Sequence, residues 1–434
     1  LDFNALGLRS SLLRGIDDLG FTTPTPIQTQ AIPPALEGRD VLACAATGSG
    51  KTAAFLLPIM ERFADSPRGS TRALILAPTR ELAIQIVADF ADLAKHTNMR
   101  ASAVYGGVGM GPQETAFRKG HDVIVATPGR LLDHFQRGNA PLKSLEVLVL
   151  DEADRMLDMG FLPDIRRVLK HVPRPKQTLF FSATMPAEIE RLTRELLTDP
   201  FTVALQRKAQ PAEGVAQSVY PVAKNDKTRL LIELLKREGI YDALVFTRTK
   251  HGANRLTKQL NKSGVSAERI HGNRSQNQRT KALAGFKNGD FQVLVATDIA
   301  SRGIDVEELG HVVNFDLPNV PEDYIHRVGR TARAGETGDA FSFVTPEDED
   351  DLARIERAIG KTLPRVEVEG FDVPAVSPSG GNGGSRGRSS NGGSSNGRSK
   401  RSRGRGNGGG QPKTQHADDG QNDRPRRRRF GKRR

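Results

Sequence analysis

The chain has 434 residues, of which 26% are charged and 37% hydrophobic, with a single cysteine and a formal net charge of +13. One cysteine excludes a disulfide framework within the chain and a cysteine-rich zinc site, and no apolar run approaches the roughly 18 residues that a membrane-spanning helix requires. The charge is uneven: residues 371–434 carry a net +12 and residues 1–370 a net +1, an asymmetry that points to a polyanionic partner.

The first residues hold no apolar signal core, so a soluble cytoplasmic protein is expected. The chain opens at Leu1 instead of Met, and its natural start is expected to lie upstream. Short apolar runs then end abruptly in polar residues or in Gly and Pro. They are 41–45 (VLACA), 73–77 (ALILA), 122–126 (DVIVA), 147–150 (VLVL) and 178–181 (TLFF), followed by 243–246 (ALVF), 293–296 (VLVA), 311–315 (HVVNF) and 340–344 (AFSFV). Continuous apolar runs of this length suit parallel strands buried on both faces. Helix-like segments separate them, which predicts right-handed βαβ units and an α/β fold. The polar stretch between the two sets of runs, with Pro211 and Gly214, reads as a linker, because long structureless segments are uncommon inside a compact domain. The expected organisation is a first domain over 1–205, a linker over 206–217, a second domain over 218–370 and a tail over 371–434. The tail holds 15 of the 44 glycines and only two aromatics, Phe371 and Phe430. It cannot bury enough apolar surface to offset its ordering entropy and is expected to be disordered. Its arginines suit RNA or DNA; the competing reading is a solubilising tail.

In parallel sheets ligands bind beyond the carboxyl ends of the strands, so the residues after each run are the candidates for chemistry. Ala45-Ala46-Thr47-Gly48-Ser49-Gly50-Lys51-Thr52 follows the first run and precedes a helix-like segment. It is a P-loop with Ala45 where the general pattern has Gly. Its backbone N–H groups are expected around phosphates at a helix N-terminus, with Lys51 on the β- and γ-phosphates and Thr52 on Mg2+. Asp151-Glu152-Ala153-Asp154 directly follows the run 147–150. Asp151 suits the metal through water, and Glu152 suits polarising the attacking water.

Together these two motifs resemble the DEAD-box RNA helicases, and the remaining family motifs follow in order. Gly20-Phe21, Pro24 and Pro26-Ile27-Gln28, with Phe3 standing 17 residues ahead of Gly20, are similar to the Q motif. Pro78-Thr79-Arg80-Glu81-Leu82, Gly106-Gly107 and Thr127-Pro128-Gly129-Arg130 resemble motifs Ia, GG and Ib, and Ser182-Ala183-Thr184 resembles motif III. In the second half, Val245-Phe246-Thr247-Arg248-Thr249 resembles motif IV and Gln276 with Arg279 resembles the QxxR element. Ala296-Thr297-Asp298 through Arg302-Gly303-Ile304-Asp305 resembles motif V, and the stretch from His326 to Arg333 resembles motif VI. Ala332 replaces the commoner Gly, a small-for-small change. The pattern spans residues 3–365, and the bacterial RhlE-type subgroup, with its basic low-complexity C-terminus, is the branch it is most similar to.

The resemblance implies two RecA-like domains with ATP and Mg2+ between them. Phe21 and Gln28 would take the adenine, Ala46, Thr47, Gly48, Ser49, Gly50, Lys51 and Thr52 the phosphates, and Asp305 the ribose, with Gly303 also in the ATP site. Lys51, Asp151, Glu152, Arg330 and Arg333 would carry catalysis, with Thr52 and Asp151 on the metal. The two arginines, three apart, would share one face if a helix runs through them. Ser182, Thr184, Asp154 and His326 would couple the sites. RNA contacts would come from Pro78, Thr79, Arg80, Gly107, Thr127, Gly129 and Arg130, and from Thr249, Gln276, Arg279, Thr297 and Arg302. These residue types suit phosphate and 2′-OH contacts, hence sequence-independent binding. The implied activity is ATP-driven, non-processive opening of short RNA duplexes or remodelling of RNA–protein complexes by a monomer. RNA is the expected partner, with ribosomal or RNA-decay proteins as a further class for the tail. Two alternatives stay open: a DNA translocase of the same superfamily, and an ATP-gated RNA clamp or annealing factor.

Overall fold

The nine apolar runs become strands, and four strands that no run announced complete two parallel sheets. The computed structural model describes residues 2–45, 48–173, 177–204, 214–236, 240–301, 309–331 and 338–371. The first sheet contains β1 (Val41–Cys44), β2 (Ala73–Leu76), β3 (Ala101–Val104), β4 (Val123–Ala126), β5 (Val147–Leu150), β6 (Gln177–Ser182) and β7 (Phe201–Ala204), in the order β3-β4-β2-β5-β6-β1-β7. The second contains β8 (Val215–Pro221), β9 (Ala243–Phe246), β10 (Ala267–Ile270), β11 (Val293–Ala296), β12 (His311–Asn314) and β13 (Gly338–Val344), in the order β10-β11-β9-β12-β13-β8.

The central strands are apolar throughout because both faces of each sheet are covered. In β5, Val147 and Val149 enter one core cluster while Leu148 and Leu150 enter another on the opposite face. In β9, Ala243 and Val245 likewise separate from Leu244 and Phe246. Each such Leu or Val, fully buried, contributes about 1.5–3 kcal/mol. Strand β8 corrects the expected linker, since residues 215–217 are paired with β13. Val215, Gln217 and Val219 are buried while Ala216 is exposed, and Gln217 is polar only because its side chain accepts a hydrogen bond from the buried Tyr324 hydroxyl. Residues 205–213 and the tail beyond 371, with its expected disorder, lie outside the described residues.

The second domain is closed by a short strap. Val219 donates to Pro364 and accepts from Val366, Val366 and Val368 pack on the core, and the Arg229 guanidinium lies 4.4 Å over the Phe371 ring. Among the described residues, no helix is long and apolar enough to cross a membrane.

Strand order positions the functional loops. Adjacent β5, β6 and β1 end in Asp151, Ser182 and the P-loop, whereas adjacent β3, β4 and β2 end near Gly106, Thr127 and Pro78. One half of the first sheet therefore presents the nucleotide motifs and the other half the expected RNA motifs. In the second sheet, β10, β11 and β9 lead to Gln276, Thr297 and Thr249.

Candidate active site

A cavity of about 320 Å3 is lined by Phe21, Gln28, Lys51, Thr52, Asp151, Glu152 and Arg330. Lys51 opens the helix Lys51–Phe63, and its buried ammonium donates to the Ala45 carbonyl at 2.9 Å. Gly50 needs to be glycine for two reasons: its φ is +91°, and a Cβ there would lie 2.6 Å from Gln28 Nε2. Gln28 Oε1 accepts from Thr25 N and Gln28 Nε2 donates to the Gly50 carbonyl at 3.2 Å. An amide has two donor hydrogens and two acceptor sites, so Gln28 keeps one of each for a base edge while joining the Q motif to the P-loop. Phe21 is 44% exposed and offers an open apolar surface to the same cavity. Ala46, Thr47, Arg302, Gly303, Asp305 and Arg333 lie outside the described residues.

Asp151 and Glu152 are both buried. Burial pushes the Asp151 carboxyl up to about 7; Lys51 opposes this, and Glu152 and Asp154 add to it. Burial works against the Glu152 charge as well, but Arg155, Lys51 and Arg330 outweigh it and hold its carboxyl below the usual range. Glu152 sits in the left-handed region at φ +50°, a conformation that costs a non-glycine residue of order 1–3 kcal/mol. Asp151 Oδ1, accepting from Glu152 N at 2.9 Å, and the Arg155 guanidinium, donating to both Glu152 oxygens at 2.9 and 2.7 Å, hold it there. Arg155, absent from the sequence-level site, stands three residues after Glu152, a helical pairing distance that was a usable signal.

Asp154 is bound to the loop after β6. Its Oδ2 accepts from Ala183 N, Thr184 N and Thr184 Oγ1 at 2.8–3.2 Å, and Ser182 Oγ donates to the Thr184 carbonyl. His326 of the second domain lies in the field of Arg155, Asp154, Glu152 and Arg330, and burial, reinforced by Arg155, pushes its imidazole down to about 4.

In the nucleotide-free chain, His326 and Asp151 set opposite pH slopes. Between about pH 4 and 6.5 the unfolded chain keeps a proton on His326 that the folded chain has lost, so stability from this group rises with pH. Between about pH 3.8 and 7 the folded chain keeps a proton on Asp151 that the unfolded chain has released, so stability from this group falls as pH rises. Relative to the parent, His326→Gln is expected to tilt the stability profile downward with rising pH and Asp151→Asn to tilt it upward. Urea melts at three pH values measure this, and equal tilts in both variants would exclude the assignment.

On the other half of the first sheet, Thr79 caps the helix Arg80–Leu93 by accepting from Leu82 N, which engages its hydroxyl oxygen, and Pro78 is buried. The Arg80 guanidinium lies against the Gly106-Gly107 loop. A Cβ on Gly107, whose φ is +87°, would stand 2.3 Å from Arg80 Nη1. Gly107→Ala is expected to displace Arg80 and raise the RNA concentration for half-saturation by about tenfold, the scale of one charge-assisted hydrogen bond. ATP half-saturation is expected to hold, and paired titrations with RNA and with ATP check both. Arg130 donates to the Val108 carbonyl at 3.1 and 3.2 Å, Thr127 is buried, and Gly129 and Thr249 are exposed.

Gln276 and Arg279, expected on RNA, are buried in this structure against Glu81 of the first domain. Gln276 Nε2 donates to Glu81 Oε1 at 3.0 Å, and Arg279 Nη2 lies 2.9 Å from Glu81 Oε2. They join the two domains here instead of facing an open surface. Arg330 also departs from the sequence-level picture: the helix Pro321–Val328 ends two residues before it, and the arginine lies in the turn after Gly329. Arg327 is fixed by Asp298, Asn314 Oδ1 and the Asp316 carbonyl.

A DEAD/DEAH box helicase model matches residues 25–192, and a helicase conserved C-terminal domain model matches residues 226–335. An ATP-dependent RNA helicase RhlB of Pseudomonas syringae pv. tomato is 43% identical over 370 residues, covering 83% of this chain and 93% of that relative. The chain belongs to the DEAD-box ATP-dependent RNA helicase family. A DEAD-box ATP-dependent RNA helicase CshA of Bacillus cereus is also 43% identical, over 85% of this chain and 70% of that relative. Both relatives carry names other than the RhlE type expected from the sequence. Among solved structures, S. cerevisiae Dbp5 bound to RNA and ADP BeF3 superposes with a TM-score of 0.78 at 32% identity, over 84% of this chain and 95% of that one. The DEAD-box helicase Mss116 bound to ssRNA and UDP-BeF gives 0.78 at 28% identity, over 85% and 80%. This chain is therefore an ATP-hydrolysing RNA helicase with two parallel-sheet α/β domains.

Proposed function

We propose that ATP binds in the cavity between the two domains and that its hydrolysis drives local, non-processive opening of short RNA duplexes. The observation that carries this reading is the single cavity in which Gln28, Lys51, Asp151 and Glu152 meet Arg330 of the second domain. Phe21 and Gln28 take the base, Lys51 the terminal phosphates, Glu152 the attacking water, and Arg330 the charge that develops on the γ-phosphoryl group.

The site fits Mg2+ in one particular way. Among the described residues no group of three His, Cys, Asp or Glu side chains could hold a metal alone. Asp151 is nevertheless a buried carboxyl whose charge is under-compensated, which suits a cation that arrives with phosphate oxygens as its other ligands. Thr52 and Asp151 would hold it, and it would neutralise charge on the β- and γ-phosphates.

ATP contacts divided between the domains favour the closed arrangement, and RNA favours the same arrangement, so the two bind cooperatively. Arg80, Gly107 and Gly129 in the first domain and Thr249 and Thr297 in the second supply contacts to the RNA backbone. We extend this to the basic tail, which holds RNA near the core in the cytoplasm and raises its effective concentration.

ATPase rates with single-stranded RNA, with DNA of the same sequence, and with neither test the reading. RNA alone is expected to stimulate strongly. Truncation after residue 376 is expected to raise the RNA concentration at half-maximal rate and leave the maximal rate unchanged. Equal stimulation by DNA would point to a DNA translocase, and an unchanged RNA requirement in the truncated chain at low salt would remove the role of the tail.

A further inference from the structure

The Gly106-Gly107 loop is held from behind by side chains that the nucleic-acid motifs do not include. Gln113, near the start of the helix Gly111–Arg118, turns its amide back beneath the loop, and Gln113 Nε2 donates to the Tyr105 carbonyl at 3.0 Å. Gln113 Oε1 accepts from His134 Nε2 at 3.0 Å and from Arg130 Nη1 at 3.4 Å. Arg130 fixes the far side of the glycine pair through the Val108 carbonyl. Gln113 is 5% exposed and His134 is fully buried on the helix Pro128–Gln136. Burial, reinforced by Arg130, holds the His134 imidazole below its ordinary range, so the ring is neutral near pH 7, and its contact with Gln113 Oε1, an oxygen that also accepts from Arg130, assigns its proton to Nε2. This polarity admits one arrangement. The histidine must donate, the Gln113 carbonyl must accept, and the Gln113 amide nitrogen must give its hydrogen to Tyr105.

Arg130 is thereby largely engaged. Its two terminal nitrogens serve Val108 and Gln113, and Nε lies 3.6 Å from Asp133. Arg80 differs: its guanidinium lies against Gly107 with no hydrogen bond or ion pair to another described residue. The loop carbonyls are pinned on either side of two glycines, and the open cation stands on the glycine side.

We infer that Gln113, backed by His134, is a positioning residue for RNA: it sets the Gly106-Gly107 loop so that Arg80 is open to a backbone phosphate, and it tunes RNA affinity without touching RNA. The inference rests on the proposed RNA-binding role of Arg80 and Gly107.

The test uses the full chain and single-stranded RNA, reading RNA half-saturation of the ATPase, ATP half-saturation, melting temperature and the salt dependence of RNA binding. Gln113→Met removes the hydrogen bonds at similar volume. Gln113→Glu keeps the shape but turns an acceptor toward the Tyr105 carbonyl. Both are expected to raise RNA half-saturation by about five- to tenfold with ATP half-saturation kept, and to lower the melting temperature by only a few degrees, the cost of the buried groups left unpaired. His134→Leu is expected to follow them, and His134→Gln, which retains a donor, to recover most of the loss. Arg80→Gln is the reference: it is expected to lower the slope of log affinity against log salt by about one, whereas Gln113→Met keeps the parent slope. Unchanged RNA half-saturation in both Gln113 variants, beside a weakened Arg80→Gln, overturns the inference alone. A larger drop in melting temperature with parallel loss of ATP binding assigns Gln113 to the fold and also overturns it. An Arg80→Gln chain with parental RNA binding removes the RNA-face reading and the inference with it.

Discussion

Glu152→Gln is expected to lower RNA-stimulated ATP hydrolysis by about 10²–10⁴-fold, the range for loss of a positioned general base or water-orienting carboxylate, while ATP and RNA binding persist. Gln keeps the size and the oxygen acceptor but loses the charge. Glu152 is buried, strained at φ +50°, and gripped through both oxygens by Arg155. A carboxylate held this firmly, below the usual range for a glutamate, stays ionised at neutral pH and can accept a hydrogen bond from water. The strain is informative because the backbone could relax if nothing needed the carboxylate here. Single-turnover hydrolysis at saturating RNA, beside equilibrium binding of a fluorescent ATP analogue, separates chemistry from binding. A variant that hydrolyses within tenfold of the parent would mean that another group orients the water. A variant that no longer binds ATP would mean that the Glu152–Arg155 pair builds the pocket instead of serving the reaction.

The sequence made the central strands legible and hid the edges. All four strands without an apolar run, β3, β7, β8 and β10, are the outermost strands of their sheets. An edge strand has a neighbour on one side only and keeps exposed or half-buried positions: β7 reads Phe201-Thr202-Val203-Ala204 with only Val203 buried. Its composition therefore approaches that of a loop. The P-loop, Asp151–Asp154 and Ser182–Thr184 were readable because the residues of each are consecutive and sit at a strand end. Less visible were contacts made across long sequence separations. Nothing near Glu81 announces that Gln276 and Arg279, about two hundred residues away, close on it, and only the fold brings His134 beneath Gln113. Gln276 and Arg279 carry the same polar groups whether they meet a phosphate or a carboxylate, so residue type alone could not separate the two. The edge of the second sheet followed the same logic, since Gln217 in β8 looks like a linker residue until the Tyr324 hydroxyl is placed against it.

Arg330→Ala is expected to lower RNA-stimulated hydrolysis by about 10³-fold or more, the scale on which an arginine supplied to a phosphoryl-transfer site acts. The side chain comes from the second domain, is 4% exposed, and lines the cavity that holds Lys51, Asp151 and Glu152 of the first. It lies in the turn after Gly329 instead of on a helix, so its reach depends on the C-terminal end of the helix Pro321–Val328 and on Thr331, whose hydroxyl is bonded to the Leu309 carbonyl. Arg330→Lys separates charge from geometry. Lysine keeps the positive charge but not the planar fork that donates to two phosphate oxygens at once, so most of the loss is expected to remain. Because the Q motif and P-loop belong to the first domain, ATP binding without RNA is expected to change by no more than a few-fold in either variant, whereas the gain in ATP affinity that RNA confers should shrink. Titrating ATP with and without RNA reads that coupling directly. Hydrolysis within tenfold of the parent in Arg330→Ala would place the catalytic arginine elsewhere, and full recovery by Arg330→Lys would reduce its part to long-range charge. Retained coupling with lost hydrolysis would leave Arg330 in the chemistry but remove it from closure, so the two roles are decided by different measurements on the same pair of variants.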